Sequence, residues 1–560
     1  QTPLLERLVK EKTVAWEFQK RRHEDWEDNY ELYRNKVKTN RLTQRQAVNI
    51  PLMKETIKTL LSKIDEAPSI EWQELGGNED KEIVLQEMWN TDFDELNFEG
   101  IDMQDKKTAL LYGRSFKKLN FGESFSLDAL DIYDVLIDPL VSPLNIETAR
   151  YLVQSNIFRS LKDILASDRY DKEGKAKLKI YLSTKDGFIQ SAKNKEQLEF
   201  KQERLAAMGV EKEDFDTFSA GDALCNLTEH FTNKWDGKKF VRWVYVYAFD
   251  NVPLMDSSLN DLLGVDFWPF VSWGDDVETQ DIWSDGPGDL ARVPNKIVNI
   301  WFSQMIENRT LKNFQMHWFD ATKQGYQPQV YEPGPGRMLP APGEPKKTIM
   351  PVEVSGLEDT LTQIDFLIKL VEKGTSATAI EKGVTEKKQI TLGEVQTALG
   401  QSMEKAVTMA KYYRRSWQEL AMKWYRLLEA NTAGNAKRTL YKSTSKGKIW
   451  PRDIYGRDWK SKAGYKALAR SSSEQEADAT KSVQKWGYIK SQFPDNPVVA
   501  RIAQRRILEI GDVTPQELRE IEEFEKKKMT LPEQPIQISE EQALLQDVQS
   551  KTKELTSLTA

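Results

Sequence analysis

Along the first sixty residues apolar side chains recur at helical spacing, with Leu8, Val9, Trp16, Phe18, Trp26, Tyr30, Leu32 and Tyr33 set among charges. Ile57, Leu60, Leu61 and Ile64 form a second amphipathic face. Beyond Pro68 the period shortens: 69–75 reads as a strand closed by Gly76-Gly77, and a helix is predicted over 79–111. Strands are predicted over 114–121, 132–137 and 151–157, between Asp, Pro and Gly turns, and helices near 161–166 and over 195–208. The stretch 227–273 is strand-rich. Within it Val241, Trp243, Tyr245 and Tyr247 alternate with Arg242, Val244, Val246 and Ala248, the mark of a mostly buried strand.

A helix is predicted over 289–312 with Asp289 as its N-cap, and Pro294 either kinks its first turn or marks its true start. Seven prolines fall between Pro328 and Pro351, among strand-like pieces at 314–319, 329–331 and 348–354, so a β-and-turn insert is expected between helices. Leu357, Leu361, Ile364, Ile368 and Val371 then form one stripe on a helix ending at Gly374. The small, polar and basic text of 374–392 reads as a mobile loop, and a long helix follows over 393–430. Positions 434–470 make the one strongly basic stretch, in which Lys446, Lys448, Arg452 and Arg457 are interleaved with Tyr441, Trp450, Tyr455, Trp459 and Tyr465. Such a patch could bind DNA, or it could be an exposed β region that meets acidic surface on a neighbouring subunit, such as the helical region 79–105. On the residues alone both readings stay open. Helices are expected over 472–528 and 540–555. The pattern as a whole is α+β and predominantly helical.

Composition narrows the chemistry. In 560 residues, Lys+Arg 80 against Asp+Glu 87 leaves −7, which excludes a histone-like basic protein. A lone cysteine, Cys225, excludes an intrachain disulfide, a zinc finger and an iron–sulfur cluster, and fits a reducing compartment. No apolar run reaches membrane-spanning length, so the chain reads as soluble. The three histidines, His23, His230 and His317, stand in separate segments, where packed rings are the expectation. In 343–348 Pro345 sits where a phosphate loop needs free amides. Glu24-Asp25 with Glu27-Asp28, and Asp275-Asp276, read as solvated faces or turns. No catalytic residue, metal or cofactor is assigned.

Four segments carry a resemblance: 26–33 (WEDNYELY) with Asn49-Ile-Pro-Leu52; 109–116 (ALLYGRSF); Leu136-Ile-Asp-Pro139 with Ala149-Arg-Tyr151; and 285–290 (DGPGDL) running into the helix that follows. In this order, with Thr391-Leu-Gly-Glu-Val395 beyond the loop, the chain resembles the portal (head-to-tail connector) proteins of tailed bacteriophages, most closely those of short-tailed phages. The resemblance implies a wing over 1–286, a wing-to-stem helix over 287–312, a β-containing clip over 313–356, a second stem helix over 357–373 and a tunnel loop over 374–392. A long helix with return to the wing over 393–470 and a helical crown with tail over 471–560 complete it. It implies no catalytic residues. It also implies a homo-oligomeric ring of about twelve copies at one capsid vertex, assembled in the host cytoplasm, through which double-stranded DNA is packaged and ejected. The partners implied are the terminase large subunit, the major capsid protein, and head–tail adaptor or tail proteins, with Lys373, Lys382, Lys387 and Lys388 touching DNA transiently. A carboxylate- and metal-dependent nucleic-acid enzyme and a stand-alone helical adaptor are the alternatives.

Overall fold

The computed structural model describes residues 3–35, 48–64, 69–121, 125–183, 224–313, 317–319, 349–351, 360–375, 392–443, 449–470 and 485–488. The chain divides into two units, 1–472 and 473–560, and in the second the described residues form a helical turn at 485–488. Expected helices at 195–208, 540–555 and most of 472–528 lie outside the described residues.

The first unit begins with α1 (Pro3–Lys20), α2 (His23–Tyr33) and α3 (Leu52–Lys63), followed by β1 (Ser69–Glu74). The helix predicted over 79–111 is two helices, α4 (Glu79–Glu95) and α5 (Phe98–Tyr112). Asn97 breaks them apart by taking a left-handed conformation at φ 50°, which asparagine tolerates better than most side chains. A five-stranded antiparallel sheet follows, in the order β4 (Val135–Ile137), β5 (Tyr151–Ser160), β6 (Leu224–Trp235), β7 (Phe240–Ala248), β8 (Val252–Ser258). Residues 132–134 form a 3-10 turn rather than the start of β4, with the Asp131 carboxylate accepting from the Tyr133 amide. In β7 the buried part is the C-terminal half, from Val244 onward. A three-stranded antiparallel sheet, β3 (Phe125–Ala129), β2 (Arg114–Phe121), β9 (Phe270–Gly274), lies beside α5. The connecting helices are α6 (Leu161–Ala166), α7 (Lys172–Leu182) and α8 (Leu259–Leu263).

Next come α9 (Pro287–Asn313), a short antiparallel pair β10 (His317–Phe319) and β11 (Ile349–Pro351), α10 (Thr360–Thr375) and the forty-residue α11 (Leu392–Asn431). α9 starts at Pro287, where the missing N–H costs nothing, so Pro294 is an interior residue. An antiparallel hairpin of β12 (Lys437–Ser443) and β13 (Ile449–Tyr455), a helical turn α12 (Gly456–Trp459) and β14 (Tyr465–Arg470) close the unit, with β14 pairing antiparallel to β1. One large apolar core runs through these layers, and its densest part is aromatic: Trp72, Trp89, Phe98, Trp417 and Trp424 pack within ring-contact distance in a chain. Among the described residues no helix is long and apolar enough to cross a membrane.

Candidate functional site

Segments far apart in the chain converge on the N-terminal half of α9. Gly113 ends α5 at φ +82°, and a Cβ placed on it would lie 1.9 Å from the Ser284 carbonyl oxygen. A Cβ on Gly286 would lie 2.8 Å from the Gly113 nitrogen, and one on Gly288 would lie 2.5 Å from the Leu111 carbonyl oxygen. Glycine is required at this crossing by close approach of backbones, and at Gly113 by conformation as well. The sequence segments 109–116 and 285–290 therefore meet in space.

The segment 26–33 joins them from the side. Asn29 Nδ2 donates to the Leu111 carbonyl at 2.9 Å and to Asp289 Oδ1 at 3.1 Å, and Arg22 pairs with Asp289 at 2.9 Å. The Asp289 carboxylate also accepts from the Gly286 amide at 3.0 Å, but the helix begins at Pro287, so Asp289 is a first-turn carboxylate at the positive end of the helix and not the expected N-cap. One and a half turns further on, α9 presents Asn295, Asn299 and Ser303, all buried, to the main chain around Asn49-Ile-Pro-Leu52. The Met53 amide donates to Asn295 Oδ1 at 2.9 Å, the Ile50 amide to Asn299 Oδ1 at 2.8 Å, and the Val48 amide to Ser303 Oγ at 3.1 Å. Residues at i, i+4 and i+8 line one face of a helix, and here that face serves as a polar strip for an irregular segment that lacks a ladder of its own. The acidic cluster read as solvated is in fact tied to α9: Asp25 pairs with Arg292 at 2.9 Å, and Asp28 pairs with Lys296.

α10 packs against α9. Its stripe is partly as predicted: Ile364 and Val371 are buried and Ile368 lies half-buried on the main core, whereas Leu361 is 58 % exposed and Leu357 lies outside the described residues. Phe366 and Leu370, four residues apart on the opposite side of the helix from that stripe, are 65 % and 50 % exposed. This second apolar face is legible as an i, i+4 pair, and the single-stripe reading misses it. On α9, Leu290, Val293 and Ile300 share a face that is likewise exposed. Of the four lysines expected at the tunnel, Lys373 is exposed in the last turn of α10, and Lys382, Lys387 and Lys388 lie outside the described residues.

The basic stretch folds as the β12–β13 hairpin and the segment up to β14. Lys446 and Lys448 lie outside the described residues, Arg452 stands opposite Leu440 in the hairpin register, and Arg457 is exposed with its guanidinium 5.2 Å from its neighbour Tyr455's ring. Part of the basic stretch meets the acidic helical region 79–105 within the same chain. Arg438 pairs with Asp92 of α4, which also accepts from Trp424 Nε1 at 2.9 Å, and Lys81 Nζ donates to the Lys460 carbonyl at 2.5 Å.

Several ionised groups elsewhere among the described residues are buried and paired. Lys117 and Asp105 form a fully buried pair, with Asp105 also accepting from Ser115 Oγ at 2.8 Å and Trp273 Nε1 at 2.7 Å. Burial raises the Asp102 carboxyl against the opposing pull of Lys106, and Asp102 accepts from the Tyr413 hydroxyl. His230 is buried and its pKa is lowered by that burial, against the hydrogen bond to Glu11 at 3.1 Å. His23 packs 5.0 Å from the Tyr133 ring, and Cys225 is buried. His317 stands in β10. Among the described residues no group of His, Cys, Asp and Glu is arranged to hold a metal. No known family model matches the chain, and no curated protein matches it.

Proposed function

We propose that this protein is a portal subunit of a tailed bacteriophage, a structural protein that forms a ring for passage of double-stranded DNA. The observation that carries the reading is the unit formed by α9, the β10–β11 pair and α10. Two packed helices carry a strand pair at one end, and each leaves apolar side chains uncovered. A second copy set beside the first covers such faces, and repetition of one heterologous contact closes a ring. The convergence of 26–33, 49–52, 109–116 and 285–290 on the start of α9 supports the same reading, since three of the four segments that carry the resemblance fix this helix to the body. A net charge of −7 suits a channel through which DNA slides rather than binds. Within this reading the terminase, capsid and tail proteins are the partners. Native mass measurement on the purified full chain tests it: a discrete species near a dozen subunits is expected, and a strictly monomeric protein at every salt and concentration sinks it.

A further inference from the structure

Arg114, the first residue of β2, is only 3 % exposed and touches no carboxylate. Its Nη2 donates to the Pro143 carbonyl at 2.7 Å and to Ser272 Oγ at 3.0 Å, while Nε and Nη1, which carry the remaining three N–H groups, have no partner. Buried donors that stay unmade are costly, and a buried guanidinium with no directly bonded carboxylate more so. Arg114 lines a small pocket of about 30 Å³ together with Leu144, Ser272, Tyr412, Arg415 and Glu419. Arg415 is exposed at this pocket on α11. The Glu419 carboxylate is engaged by Lys423 at 2.8 Å, so the lining holds two arginines against one carboxylate that is already paired.

We propose that this pocket binds one small monovalent anion, a halide or a single carboxylate group, between Arg114 of β2 and Arg415 of α11. The space is small, about 30 Å³, and suits a small ion. Burial already pushes the Arg114 guanidinium down to about 10, with the charge of Glu419 working the other way, so the site gains from an added negative charge. An anion held there joins the three-stranded sheet to the long helix at a junction where the chain supplies no ion pair of its own for Arg114. The carboxylate could be a free ion or a side chain of a second copy.

Chloride-35 NMR line widths of the full-length protein, at one chloride concentration and one ionic strength for every variant and with no carboxylate in the buffer, test the site. The wild-type chain is expected to broaden the chloride line beyond its Arg114→Met and Arg415→Gln variants, and formate is expected to reverse the excess. Arg415 is exposed, so its variant remains informative if Arg114→Met fails to fold. Excess broadening that persists in the assembled species identifies a free ion; excess seen only in the unassembled chain identifies a carboxylate of the second copy. Equal line widths for folded wild type and both variants, before assembly, overturn the proposal and leave water as the occupant.

Discussion

The C-terminal half of α11 and the whole of α10 have similar amphipathic patterns, yet they use them differently. In α11, Trp417, Leu420, Ala421, Trp424, Leu427 and Leu428 are buried, and polar side chains secure the same region: Lys423 Nζ donates to the Phe270 carbonyl at 2.6 Å and Asn431 Nδ2 to the Leu263 carbonyl at 2.7 Å. In α10 one apolar stripe is buried against its own chain, while Phe366 and Leu370 stand on the other side in solvent. One helix finds its partners within the subunit. The other keeps a face in reserve, and amphipathicity alone does not tell which of these two situations holds.

The largest effect should come from the anchored helix. Trp424→Ala removes a fully buried ring that contacts Trp72 and Trp89 and donates to Asp92, so a loss of about 3–5 kcal/mol is expected in chemical denaturation. A loss under about 1 kcal/mol would erase the contrast between the helices.

A smaller, pH-dependent effect is expected where β9 ends beneath α11. Burial, and then the charge of Asp276, raise the Asp275 carboxyl to about 6. Because the folded-state pKa lies above the unfolded one, the fold favours the neutral acid. That contribution is complete below about pH 4 and is lost as pH rises through about 6. Asp275→Asn should therefore stabilise the protein by about 1 kcal/mol at pH 8, allowing for partial exposure, and leave it unchanged at pH 4. Thermal melts at the two values check the sign.

The smallest effect on the subunit should come from α10. Replacing Phe366 and Leu370 together by Ser is expected to change subunit stability by no more than about 0.5 kcal/mol, because neither side chain is covered within the chain. The same change should lower the assembled mass. A large stability loss without any change in assembly would show that the face serves the subunit after all.

Much of the element order was legible in the periodicities, including β2, β7 and the near-complete extent of α11, whereas the α9 start was placed late, with Asp289 read as the cap of a helix that begins at Pro287. The division of α4 from α5 was not, since Asn97 acts through a backbone conformation and leaves no gap in the apolar pattern. Pairing of β1 with β14, which aligns Ser69 with Arg470, and the ion pair of Arg438 with Asp92 depend on contacts distant in sequence, to which local period is blind. For the candidate site, Ile364 and Val371 were placed correctly inside. The i, i+4 pair Phe366 and Leu370 was hidden because a stripe search keeps the stronger face and discards the second.

The glycine crossing has a consequence for heredity. A methyl group at Gly113, Gly286 or Gly288 meets the backbone of another segment, at Ser284, Gly113 and Leu111 respectively. Mutation at one position cannot be rescued by a smaller residue at the others, because none exists. Descendants of this chain that keep the crossing must inherit all three together, and a lineage that has lost one is expected to have rebuilt the entry to its long helix by a different route.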